Sequence, residues 1–200
     1  MALSTFAELK AAISGILGRD PDNAVYQLTT AEINRDLRLL SMEATTTIAE
    51  AASVSLPSGF LKPVSVHRDT DNRTALTATS SHAINAEYAE SGSPTKYAVA
   101  DDSGTLVLKL NRPGDGTNLV IRYIAELADL SNDDDTNDVL SQHPNVYFYG
   151  ALHHHGLLIG DPRGAGWSQA YSDAVASAKR SDRSNRTSVN ASPTAPGMTP

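Results

Sequence analysis

The sequence predicts an α+β protein: a helical bundle formed by N- and C-terminal helices, an inserted small antiparallel β module, and an extended C-terminal arm. Three observations carry this. Apolar residues recur at helical spacing near both ends of the chain. Between residues 44 and 127 the chain breaks into short runs rich in Thr, Val and Leu, punctuated by Gly, Pro and Asp-Asn. Beyond Thr187 it reads SVNASPTAPGMTP, too polar and proline-rich to pack alone. The expected divisions are 1–43 (N-terminal helices), 44–127 (β module), 128–187 (C-terminal helices) and 188–200 (tail).

The first helix is expected to open on Ser4 or Thr5, with Thr5 and Glu8 forming a capping box. Phe6, Leu9, Ile13, Ile16 and Leu17 form its stripe, and Gly18 stops it. In the second helix Tyr26, Thr30, Ile33, Leu37 and Leu40 form the inner face. Glu32, Asn34, Arg35, Asp36 and Arg38 take the other face. Strands are expected at 45–50, 53–56, 60–67, 74–79, 96–100, 105–110 and 119–126, with a short helix after Ser80 or Ser81 that keeps Ile84 and Tyr88 on one side. Asp101-Asp102-Ser103-Gly104 reads as a hairpin turn. Helices return at Asn137. Pro144 suits the first turn of a helix ending at Gly160, and Asp161-Pro162 suits the start of the last one. Tyr149, Leu152 and Ile159 are expected in the core, together with Trp167 and Tyr171 on the last helix.

Composition narrows the function. The net charge is −7, yet residues 179–200 carry +3 from Lys179, Arg180, Arg183 and Arg186 against Asp182, leaving −10 on the first 178. Six acids and no base lie between Glu126 and Asp138. So acidic a body is a poor nucleic-acid binder, because phosphate contacts need clustered Lys and Arg. The acidic run lacks the Asp-x-Asp-x-Asp-Gly spacing of a calcium loop and reads as solvated. With no cysteine, thiolate chemistry and disulfides are excluded. No apolar run is long enough for a membrane helix, and the N-terminus does not read as a signal peptide.

No catalytic motif survives inspection, and no cofactor is expected. His153, His154 and His155 are consecutive. On a helix they fan out by about 100° per residue and cannot converge on one metal ion. The expectation is one partly buried histidine and two wet ones, with no metal and no catalytic residues. The glycine-rich Gly160–Gly166 follows a helix rather than a strand, which argues against a phosphate loop.

Two stretches carry a resemblance. One is AEINRDLRLLSMEATTTIAEAASVSLPSGFLKPVSV, with Asn34–Arg38 followed by Leu56–Leu61. The other runs through Tyr123, Leu130, Thr136-Asn137, Leu140, Pro144, Asn145, Tyr147, Tyr149, Gly150-Ala151-Leu152, Trp167 and Tyr171. Taken in order over residues 25–178, these resemble the phage head-to-tail adaptor (connector) family of tailed phages. The chain departs from the family pattern at 153–155 and 161–166.

The resemblance implies a structural virion protein of the neck, made in the host cytoplasm, and not an enzyme. It implies a ring, expected to be twelvefold, between a portal protein and tail or nozzle proteins, with DNA passing through its lumen. It also implies that the last helix and the arm beyond it dock to the portal, with Lys179, Arg180, Arg183 and Arg186 pairing with portal acids. Two other readings stay open. One is a carbohydrate-binding tail component presenting the turns at 101–104 and 111–116. The other is a metal-dependent enzyme using His153–His155.

Overall fold

A computed structural model describes residues 3–70 and 74–188. The chain is α+β and divides into two compact units. One comprises Met1–Met42 with Leu127–Pro200, and the other is Glu43–Glu126. The Asp71-Asn72 turn and the tail from 189 onward lie outside the described residues.

The first unit is helical. Helix α1 (Phe6–Leu17) starts at Thr5, whose side chain and that of Glu8 close the capping box, and ends at Gly18 with φ 70°. Its buried Phe6 meets the ring edge of Tyr26 at 4.9 Å. Helix α2 (Asn23–Asp36) is capped by Asp22 and buries Val25, Tyr26, Thr30 and Ile33. It stops earlier than its apolar rhythm suggests. Leu37 is buried, but Leu40 falls in a 3₁₀ turn (Leu40–Met42) and is 36% exposed. Asn34, expected on the wet face, is buried, because its side-chain oxygen accepts the Leu127 N–H at 2.9 Å. That bond satisfies a buried backbone donor far away in sequence.

After the second unit, α4 (Asp138–Gln142) is capped by Asn137, and α5 (Pro144–Ile159) has proline in its first turn and Gly160 at its C-cap. Helix α5 packs against α1, α2, α4 and α6 (Gly164–Ser188). Gly150 lies where these helices press closest. A Cβ there would stand 2.6 Å from Thr29 Cγ2 and 3.1 Å from the Tyr171 ring. Asp161 does not cap α6 directly. Its carboxylate accepts the Arg163 N–H at 2.8 Å in an Asx turn, and the helix begins at Gly164.

The second unit holds two sheets. Strands β1 (Glu43–Ala49), β7 (Asn118–Ala125) and β3 (Phe60–Arg68) form one in the order β1-β7-β3. Strands β2 (Ser53–Ser55), β6 (Thr105–Leu110), β5 (Lys96–Asp102) and β4 (Thr77–Ala78) form the other in the order β2-β6-β5-β4. Among the described residues every strand pairing is antiparallel except β4–β5, a two-residue parallel edge where the sequence suggests a longer antiparallel strand. Thr77 and Ala78 follow their neighbour only until Ser80 caps helix α3 (Ser81–Ala86). Ile84 of that helix is buried, whereas Tyr88 lies past its end and is 47% exposed. Leu108, Leu110, Leu119, Ile121 and Val66 meet in one core between the sheets, each from the inward side of an alternating strand. Ser103 and Gly104 both adopt positive φ (56° and 85°), the requirement of a tight hairpin twisted like its strands. The first strand begins beside the end of the last one: Glu43 pairs with Ile124, and its carboxylate bridges to Arg122.

Arg68 ties this unit together. Its guanidinium holds Glu50, whose side chain is fully buried, and reaches Asp115 as well. The same Glu50 leaves no room for a side chain at Gly114, where a Cβ would lie 2.5 Å from it.

Candidate docking surface on the last helix

The expected core residues of α5 and α6 separate into three groups. Leu152 and Tyr171 are buried, at 1% and 7% exposure. Tyr149 and Trp167 are half-buried, the Trp167 ring lying under the Arg163 guanidinium at 4.7 Å. Ile159 is not core: it is 50% exposed beside Leu157 (66%) and Leu158 (60%). The apolar run outlasts the packing: Gly156 is still buried, but the three residues after it are left at least half exposed before Gly160 reverses the chain.

The histidines point to three different neighbours. His153 stacks on Tyr171 of α6, with ring centroids 6.0 Å apart and planes 9° off parallel. His154 Nε2 lies 2.9 Å from a Glu32 carboxylate oxygen on α2. His155 is 5% exposed and meets the Arg19 guanidinium at 3.4 Å. The expectation of two wet rings is corrected: none of the three is exposed, because α5 is surrounded by helices. Burial lowers the pKa of His154 despite Glu32, and it lowers that of His155 with help from Arg19. These rings pack and bridge helices. Among the described residues no three His, Cys, Asp or Glu side chains are placed to hold a metal.

The basic quartet sits on α6 itself rather than on an extended arm. At about 100° per residue, Lys179, Arg183 and Arg186 fall within roughly 60° of one another, while Arg180 points away. The stripe of three borders a groove of about 380 Å³ whose other wall is Asp36, Arg38 and Leu39 at the end of α2. Sequence reasoning missed Arg38, because only tertiary packing brings it opposite α6. Its guanidinium also donates to the carbonyls of Asn34 and Leu37, closing α2 where its last acceptors would otherwise be unpaired.

Charges in the groove are unequally matched. Asp182 is taken twice over, by Arg186 Nε at 2.7 Å and by the backbone N–H of Leu40 at 2.5 Å. Asp36 is taken by Arg35, which holds its carboxyl below the usual range. Lys179, Arg180 and Arg183 are exposed and make no ion pair among the described residues. Of these three, Lys179 and Arg183 line the groove and Arg180 does not.

A family model described as SU10 adaptor protein covers residues 4–196, which takes in both units and the basic helix. No curated protein matches the chain.

Proposed function

Because this chain belongs to the SU10 adaptor protein family, a family of phage head-to-tail adaptors, we propose that it forms a ring joining the portal to the tail. It is a bacteriophage structural protein of the virion. The family match over nearly the whole chain carries the reading, and the shape of the basic helix supports it.

In this reading twelve copies close a ring at the neck after synthesis in the host cytoplasm. The end of α6, with Lys179, Arg180, Arg183 and Arg186, and the chain beyond it engage acidic groups of the portal. Tail or nozzle proteins meet the opposite face. The helices of both chain ends build the ring wall as a bundle, and DNA passes through the lumen. The body, acidic apart from its last helix, suits such a passage, since like charge repels phosphate and keeps the genome from sticking. The protein acts by binding and geometry, not by catalysis.

Two measurements test this. Native mass of the protein with and without portal rings should show a multi-copy complex on the portal. A chain that stays monomeric and never joins the portal rules the reading out. Removal of residues 179–200, with the remaining helices checked by circular dichroism, should abolish portal binding. Unchanged affinity would exclude the basic end as the docking element.

A further inference from the structure

The helical unit carries a second charged surface. Residues 129–138 form a loop running into α4, and it is held firmly. The backbone N–H groups of Phe6 and Ala7 donate to the carbonyls of Asp135 and Asp133 at 2.9 Å. The Asp135 carboxylate turns inward onto the N–H groups of Asn132 and Ser131 at 2.7 and 2.8 Å, and Asp133 pairs with Lys10. Asp129, Asp134 and Asp138 are left exposed, without an ion pair among the described residues. No basic residue interrupts 126–138.

The same unit therefore presents two unlike surfaces, each fixed by its own backbone. One offers three exposed carboxylates on a braced loop, and the other offers Lys179 and Arg183, which make no ion pair among the described residues, in a groove with Arg38 opposite. We infer that the groove between α2 and α6 receives the acidic loop 129–138 of a second copy of this chain. Charge complementarity selects this occupant, because the groove sets Arg38, Lys179, Arg183 and Arg186 against only Asp36 and Asp182, and the chain itself supplies carboxylates to match the excess. Such a contact joins different surfaces of the two copies, so it is head-to-tail and propagates until rotation closes it into a ring. Both surfaces are preformed, so little ordering cost opposes the contact.

The inference rests on the ring reading and names a surface that builds it. It also narrows the portal contact proposed above by dividing the basic end between partners. Lys179 and Arg183 go to the neighbouring copy, while Arg180 and the chain beyond Ser188 remain for the portal.

The chain has no cysteine, so introduced thiols report contacts cleanly. A full-length Asp134→Cys chain is mixed with an Arg183→Cys chain and treated with a short bis-maleimide, free in solution and after loading on portal rings. Cross-linked mixed dimers should exceed the homodimers of either chain alone severalfold, and the excess should fall in high salt. Charge reversal is the second arm. Asp134→Lys and Arg183→Glu should each weaken self-association at least tenfold, and the two together in one chain should restore it.

No mixed excess in either state, or a double reversal as defective as the singles, overturns the inference. If Arg183→Glu abolishes portal binding and leaves self-association intact, the groove belongs to the portal and the inference falls. A closed ring without mixed cross-links keeps the ring and sinks this contact. Mixed cross-links in an open ladder keep the contact and sink the ring.

Discussion

Gly150→Ala sets two well-defined effects against each other. Within a helix, alanine is favoured over glycine by about 1 kcal/mol, because less backbone freedom is lost. Against this stands the space at the crossing of α5 with α2 and α6. The new methyl would sit 2.6 Å from Thr29 Cγ2 and 3.1 Å from the ring of Tyr171. Neither neighbour yields easily. Thr29 is fully buried and β-branched, and its hydroxyl donates to the Val25 carbonyl at 2.8 Å. Tyr171 is buried and stacked on His153.

Overpacking of this kind costs about 1–3 kcal/mol, and a 2.6 Å approach belongs at the upper end. The net expectation is a loss of about 1–2 kcal/mol. Urea unfolding followed by Trp167, the single tryptophan, reads the helical unit directly. Thr29→Ser deletes the offending methyl and keeps the hydroxyl, so the double variant should recover most of the loss as a coupling energy of about 1 kcal/mol or more. A Gly150→Ala protein that gains stability, or a serine that recovers nothing, would refute the claim that this glycine sets the helix spacing.

Leu152→Ala, at 1% exposure, should cost about 2–5 kcal/mol in the same urea assay, and wild-type stability would refute its core placement. Arg68→Ala strands the fully buried Glu50 carboxylate and should destabilise the β unit by about 3–5 kcal/mol. Hydrogen exchange in β1 and β7 reads this loss, and Glu50→Gln in the same chain should recover part of it. Acid should weaken the helical unit in two stages. His154 and His155 have folded pKa values below the ordinary 6.5, so the unfolded chain binds protons first and stability falls as pH drops below about 6.5. Asp161, held at about 2 by Arg163, contributes stability above its ordinary 3.8 that is lost as pH falls from there toward 2. Midpoints that stay flat between pH 7 and 5 would contradict the histidine placement.

What was legible in the sequence was local. The Thr5–Glu8 box, Asn137 and Pro144, and the glycines at 18 and 160 each act within a turn of their own position, and each end of helix follows from them. The Ser103-Gly104 hairpin is legible for the same reason. Tertiary effects were not. Asn34 looks like a wet residue until Leu127, 93 positions away, needs an acceptor. Ile159 continues an apolar run that the fold leaves uncovered, and nothing in its spacing distinguishes it from Leu152. At the candidate docking surface the charge asymmetry of the last helix was visible in the sequence. Its partition was not, because Arg38 and the Asp182–Arg186 pair depend on how α2 meets α6.

The pairing of Glu43 with Ile124 has an evolutionary consequence. The polypeptide enters and leaves the β unit on adjacent antiparallel strands, about 5 Å apart. A recombination event that lifted out residues 43–126 would leave Met42 and Leu127, the neighbours of that strand pair in sequence, to be rejoined. Domains with neighbouring ends are the ones that nature inserts, exchanges and discards most freely. The β unit is therefore a cassette. Its loops can be rewritten without disturbing the helices of the other unit.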